Sequence, residues 1–172
     1  MGLMAKMFGG IFGGRSESAL PLYNAVVTRA RAPHWYLDGQ VPDTVDGRFD
    51  MVAAILSFVV LRLEKDPAGA ATSALLTEHF VSDMDGQLRE LGIGDVVVGK
   101  HIGKMMSMLG GRIGAYRDGL AAGDLPPALL RNLYRGVDPG APAVGHARDS
   151  LVAFDAALTA LPLDAVMTGQ LP

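Results

Sequence analysis

A short segment of this chain, residues 95–115, carries two rows of side chains that could bind another helix. Small residues recur there at every fourth position, so on a helix they share one face and let a neighbouring helix approach closely. The members of this small-residue ridge are Gly99, Gly103, Ser107, Gly111 and Ala115. A second row at the same spacing consists of Lys100, Lys104, Met108 and Arg112, with Met105 and Met106 beside it. The chemistry that these residues offer is noncovalent, namely an apolar groove with adaptable methionine side chains and a cationic edge.

Each part of this pattern also has a simpler explanation. Small residues at four-residue steps let two helices of one domain cross closely, methionines commonly fill gaps in a core, and lysines and arginines commonly form a solvated face. A glycine inside a helix costs about 1 kcal/mol relative to alanine, so several of them in one helix indicate that close packing offsets the loss. The sequence leaves open whether the packing partner lies within the domain or outside it.

Residues typical of catalysis or metal binding form no convincing set. The four histidines are scattered without the helical spacing of zinc ligands, at His34, His79, His101 and His146. Asp83-Met84-Asp85-Gly86 resembles the start of a calcium loop, but no glutamate stands at the twelfth position. The chain has no cysteine, which excludes disulfides, thiolate metal sites and cysteine nucleophiles. We therefore predict no enzyme activity, no catalytic residue, no metal site and no cofactor.

The composition indicates a folded chain with one domain. Of its 172 residues, 49% are hydrophobic and 19% are charged, which is typical of a packed domain. The net charge of -3 argues against DNA as a partner. Residues 1–18 begin with an apolar, glycine-rich stretch that is too short for the roughly 20 residues of a membrane span. We expect a flexible tail there, with a weak membrane contact as the alternative, and a helical domain over residues 19–172.

Apolar residues at helical spacing predict an all-α fold of about six helices. The predicted segments are 20–32, a helix that begins near Asp43 or Thr44, 72–91, the ridge-bearing helix, 126–135 and 143–161. Between residues 51 and 61 the second helix is apolar almost all round, so it is expected to be the buried centre of the fold. Gly92 is expected to end the third helix in the left-handed conformation, and Asp95 is expected to cap the next helix.

Two aromatic residues, Trp35 and Tyr36, lie in a connector between Pro33 and the turn signal Asp38-Gly39. Large aromatic side chains in such connectors usually dock on the domain, so a buried anchor is expected. The alternative is that the two rings form a second exposed binding surface.

Several short motifs occur in order over residues 20–117. They are Leu22-Tyr23-Asn24, Pro33-His34-Trp35-Tyr36, the run from Thr44 to Met51, Gly92-Ile93-Gly94-Asp95 and Gly99-Lys100. With these motifs the chain resembles the ubiquinol-cytochrome c chaperone family. The resemblance implies a helical assembly factor for the respiratory cytochrome bc1 complex that receives newly made cytochrome b near the ribosome exit and works with a small partner protein. It implies no catalytic residue.

The ridge and the resemblance together lead to one hypothesis. The chain is a chaperone, cytoplasmic or peripheral at the cytoplasmic face of the inner membrane, that shields an apolar helix of cytochrome b or a similar membrane-protein client. The residues predicted to bind the client are Trp35, Tyr36, Lys100, Lys104, Met105, Met106, Met108 and Arg112, and the small-residue ridge is predicted to give close helix packing. Two other classes stay open, which are a haem or quinone carrier or enzyme on a helical scaffold, and a peripheral membrane scaffold.

Overall fold

The computed structural model describes residues 18–172 apart from residues 91 and 93 and the side chains of residues 88, 95, 98, 101 and 102. Within these residues the chain forms helices and no strand, which confirms the all-α prediction. The helices are α1 (Leu20–Ala30), α2 (His34–Leu37), α3 (Val45–Glu64), a 3-10 turn (Pro67–Gly69), α4 (Ala70–Glu90), α5 (Asp95–Ala122), α6 (Pro126–Asn132), α7 (Ala141–Ala160) and α8 (Leu163–Met167). No helix in this part of the chain is long and apolar enough to cross a membrane. Residues 1–17 of the predicted tail lie outside the described residues.

Helix α3 is the buried centre of the fold. The Thr44 hydroxyl accepts a hydrogen bond of 3.0 Å from the backbone N–H of Gly47 and thereby caps the start of the helix. Residues 51–61 are all buried except Val52, which is partly buried, and this confirms the prediction for the apolar run. Helices α1, α4, α5 and α7 all pack against α3. The core is therefore organised around one helix that offers apolar side chains on every side.

Long-range polar contacts fix the outer helices. The Arg62 guanidinium of α3 donates 2.9 Å hydrogen bonds to the carbonyl oxygens of Leu158 and Leu161 and so satisfies the end of α7. The Tyr23 hydroxyl of α1 donates to Asp83 of α4 at 2.6 Å. Burial, and then this hydrogen bond, raise the pKa of Tyr23, so its hydroxyl stays a proton donor. These contacts tie α7 to the central helix and α1 to α4.

The helix boundaries differ from the predictions where the backbone turns. The first helix ends at Ala30 instead of residue 32, because the chain must leave the helical conformation before Pro33. Helix α6 ends at Asn132 instead of residue 135, because Arg135 has a φ of 53° and Gly136 a φ of 82°. The short helices α2 and α8 were not predicted, since a single turn gives little periodic signal.

Trp35 is the buried anchor of the first connector. Its ring is 0% exposed, and its indole N–H donates to the carbonyl oxygen of Arg29 at 3.0 Å. Tyr36 is partly buried and donates its hydroxyl hydrogen to the carbonyl oxygen of Ala30 at 2.9 Å. The structure therefore corrects the prediction that Trp35 lines an exposed binding surface, because its ring packs in the core with no surface left for a partner.

Helices α4 and α5 pack against each other as consecutive helices around a glycine turn. Gly92 has a φ of 77°, which confirms the left-handed conformation expected after α4. Asp95 is the first residue of α5 and Gly94 is its N-cap, so the prediction that Asp95 caps the helix is wrong. The turn positions α5 so that its first half lies beside α4 and its second half reaches the core.

Candidate functional site

The two halves of α5 have different surroundings. Among its described side chains, none before Leu109 is buried, whereas Leu109, Arg112 and Tyr116 are buried in the core. Ser107 lies nine positions before Tyr116, which is half a turn away at about 100° per residue. The middle of the small-residue ridge therefore faces away from the core, whereas its last member, Ala115, packs against the core. The ridge begins on the half of the helix whose described side chains are not buried.

The ridge glycines face open space. A Cβ atom built at Gly99, Gly103 or Gly111 would have no atom within 4 Å outside its own helical turn. Gly110, seven positions after Gly103 and hence on the same face, is equally open, which four-residue spacing alone did not reveal. Ser107 is exposed and Ala115 is partly buried. Within the described part of the chain, no other helix crosses closely at these three glycines. The alternative explanation, a close helix crossing inside the domain, is therefore wrong at these positions.

Apolar side chains border the ridge on both sides. Met106 and Met108 are 41% and 39% exposed, and they flank Ser107 at about 100° to either side. Val96 and Val97, in the first turn, are 78% and 48% exposed. Met105 is partly buried. Exposed apolar side chains that cluster on one helix are typical of a surface that a partner covers.

The predicted cationic row separates into a surface part and a buried part. Lys100 and Lys104 are exposed beside the ridge, whereas Arg112 is 6% exposed. A four-residue step advances about 400°, so three steps carry the row about 120° around the helix and take Arg112 into the core. The structure thus corrects the prediction that Arg112 contacts a client. Lys100, Lys104, Met106 and Met108 are brought together with the ridge, while Trp35 and Tyr36 lie apart from it on α2.

Arg112 belongs to a buried ion cluster that was not predicted from the sequence. Its Nη2 donates to Asp50 Oδ1 at 2.7 Å, and its guanidinium lies 5.3 Å from the ring centre of Phe49. Arg135 donates from Nε to Asp50 Oδ2 at 2.6 Å and from Nη1 to Asp46 at 2.9 Å. Asp50 is 1% exposed, so both of its oxygens are held by guanidinium groups away from water. The available signal was an aspartate at the edge of an apolar run, which indicates a buried partner.

A second polar cluster joins the first connector to α7. His34 Nδ1 and His146 Nε2 are 3.0 Å apart, so one ring donates a hydrogen bond to the other. Burial, then the charges of Arg29 and His146, lower the pKa of His34 below its usual value of 6.5, against a smaller opposing effect of Asp38. No group of three metal-binding side chains occurs among the described residues. The pair therefore offers a pH-sensitive contact rather than a coordination site.

The histidine pair predicts a loss of stability in mild acid. Because the folded chain binds a proton at His34 less readily than the unfolded chain does, the free energy of unfolding falls as the pH drops below 6.5. His34→Gln should flatten this dependence, since glutamine does not titrate. Urea unfolding at pH 7.5 and pH 5.5 measures the effect in both proteins. Equal losses in the wild type and the variant would contradict the assignment, because the remaining histidines would then account for the whole pH dependence.

Comparisons with known proteins agree with the motifs found in the sequence. The model of the ubiquinol-cytochrome C chaperone family matches residues 37–171. A crystal structure of the Cbp3 homolog from Brucella abortus matches with a TM-score of 0.80 and 29% identity, covering 98% of this chain and 95% of that one. The comparison with curated proteins gave no match. The family model also covers the residues after 117, beyond the last of these motifs. The chain therefore belongs to the ubiquinol-cytochrome c chaperone family.

Proposed function

We propose that this chaperone assists assembly of the cytochrome bc1 complex by holding an apolar helix of newly made cytochrome b on the exposed face of α5. The observation that carries the proposal is that a Cβ atom added at any of the ridge glycines would meet no neighbouring atom within 4 Å. Family membership supports the assembly role, and the geometry of α5 supports the place where the client docks. The chaperone covers the client segment until that segment is inserted into the membrane or joined by its partner subunits.

The ridge suits an apolar helix because its side chains are small or absent and project little from the surface of α5. Two helices whose facing residues are glycine, serine or alanine can bring their backbones close together, as small-residue interfaces of membrane helices do. Each glycine destabilises an isolated helix by about 1 kcal/mol relative to alanine. No intramolecular contact offsets that loss at Gly99, Gly103 or Gly111 within the described chain. Contact with a client helix would offset it.

The border of the ridge suits a client of variable sequence. Met106 and Met108 can change rotamer to fit different side chains on an apolar helix. Lys100 and Lys104 can meet acidic groups at the end of such a helix or the phosphates of a nearby membrane surface. This charge supports a working position in the cytoplasm at the inner face of the membrane. Membership in a chaperone family favours binding over catalysis, so we assign no catalytic residue.

Substitution of Gly103 separates stability from client binding. Gly103→Leu places a side chain in open space. The free energy of unfolding should therefore stay the same or increase by up to about 1 kcal/mol, because leucine favours a helix more than glycine does. The added side chain should keep a client helix from the ridge and reduce capture of cytochrome b about tenfold. Crosslinking in growing cells, followed by purification and mass spectrometry, measures the captured amount.

Gly86→Leu is the matched control for this experiment. Gly86 is an exposed glycine inside α4, and a Cβ atom there also meets nothing within 4 Å. The control should gain similar helix stability and keep normal capture. Normal capture by Gly103→Leu as well would exclude the ridge as the docking surface.

A further inference from the structure

A surface pocket where α5 meets α6 collects three arginines at one end of the exposed α5 face. Its volume is about 380 Å³. The lining residues are Met108, Gly111, Arg112, Arg131, Asn132 and Arg135. Met108 and Gly111 also belong to the proposed docking face, so the pocket and that face are continuous.

The pocket holds one more arginine than the described ion pairs neutralise. Arg112 and Arg135 are paired with Asp50, and Arg135 also binds Asp46. Two arginines are thus balanced by two carboxylates. The side chain of Arg131 makes no ion pair or hydrogen bond with another described residue, although Asp118 and Asp124 line an adjacent cavity with it. One guanidinium is therefore available at the mouth of the pocket.

The inner wall of the pocket holds a second unused donor. Arg112 is 6% exposed, and its Nη1 atom is buried without a hydrogen-bond acceptor among the described residues. A buried donor without an acceptor is unfavourable, and buried guanidinium nitrogens in proteins are usually paired. An oxygen atom of an anionic ligand in the pocket would supply the acceptor once the Arg112 side chain shifts far enough to expose Nη1.

We propose that this pocket binds the carboxylate of an acidic side chain in the client segment that lies along the small-residue ridge. The inference rests on the proposed function, because the client brings the carboxylate to the pocket. Guanidinium groups recognise carboxylates through paired, charge-assisted hydrogen bonds. An acidic side chain is costly to leave unpaired in an apolar segment, so a site that combines an apolar face with free arginine donors fits such a segment.

Arg131 is the residue with which to test the pocket. Removing Arg112 or Arg135 would unbalance the buried Asp50, whereas Arg131 is exposed and makes no such contact. Arg148→Gln is the matched control, because Arg148 is an exposed arginine of α7 that pairs only with its neighbour Asp149 among the described ion pairs. Both variants change the net charge equally and should unfold like the wild type.

The first experiment titrates the full chain with glutarate as a carboxylate probe and follows the arginine Nε–Hε signals by nuclear magnetic resonance. Sodium chloride at equal ionic strength and inorganic phosphate are titrated in parallel. We expect saturable shifts at Arg112 and Arg131, and about tenfold weaker binding in Arg131→Gln but not in Arg148→Gln. Unsaturated drifts that chloride reproduces would overturn the proposal. Saturable binding of phosphate without binding of glutarate would overturn the carboxylate assignment and indicate a phosphate-bearing ligand.

The second experiment measures capture of cytochrome b by the same variants. Reduced capture in both Gly103→Leu and Arg131→Gln, with normal capture in Arg148→Gln, is the expected result. If only Gly103→Leu loses capture, the docking face stands and the pocket proposal fails. If Gly103→Leu keeps full capture, the proposed function fails, and the client carboxylate is excluded even where glutarate binds.

Discussion

Replacement of Asp50 by alanine should lower the free energy of unfolding by roughly 3–5 kcal/mol, because it leaves a buried charge without its partner. The Arg112 side chain is 7% exposed, and its Nη2 lies 2.7 Å from Asp50 Oδ1. Without the carboxylate, this guanidinium must stay buried and unpaired or pull α5 away from α3. Arg135, whose side chain is 47% exposed, can turn towards water and adds less to the loss.

Urea unfolding monitored by circular dichroism measures this effect. Asp43→Ala is the control, because the ion pair of Asp43 with Arg48 is exposed on both sides and should contribute little. The double variant Asp50→Leu with Arg112→Met removes both buried charges and should recover most of the lost stability. An Asp50→Ala protein as stable as Asp43→Ala would show that the cluster does not hold α5 on the core.

Aspartates in place of Met106 and Met108 should abolish most capture of cytochrome b while the fold stays intact. Both methionines are about two-fifths exposed at the border of the ridge, so a carboxylate at either position remains solvated in the free protein. When an apolar helix covers the face, these charges lose water without gaining a partner, which opposes binding by several kcal/mol. We expect at least a tenfold loss of captured client, since each 1.4 kcal/mol corresponds to about a factor of ten.

Quantitative mass spectrometry of crosslinked complexes measures the captured client. Val152→Asp is the control, because Val152 is 46% exposed on α7 and lies outside the proposed face. Wild-type capture by the double methionine variant, with its helical signal unchanged, would exclude these methionines from the docking surface. Met105 is unsuitable for the same substitution, because it is partly buried in the free protein.

The parts of the fold that follow from local chemistry could be predicted from the sequence. The Thr44 cap, the apolar run of α3 and the left-handed Gly92 each depend on residues close together in the chain. The Asp50 cluster could not be predicted in this way, because its partners come from positions 62 and 85 residues away. Helix periodicity identifies a polar residue on an apolar helix but not the distant residue that neutralises it.

The candidate site was predicted in part, and the errors have a geometric origin. The ridge residues were found because small side chains recur at a regular step, and Gly103 and Gly111 do face open space. Arg112 was assigned to the same surface because a four-residue step was treated as straight along the helix, although it drifts by about 40° each time. The burial of Trp35 does not follow from its position in the sequence, because the sequence does not reveal how the connector folds back onto the domain. Its ring is fully buried.

The most direct test of the account places a photoreactive amino acid at Met106 of the full-length chain in cells that are assembling the cytochrome bc1 complex. The same amino acid at the exposed Val152 of α7 serves as the reference. After irradiation, the adducts are purified and identified by mass spectrometry. We expect an adduct with an apolar segment of cytochrome b from position 106 and none from position 152. The absence of a cytochrome b adduct at position 106, or equal adducts from both positions, would contradict docking on the exposed face of α5.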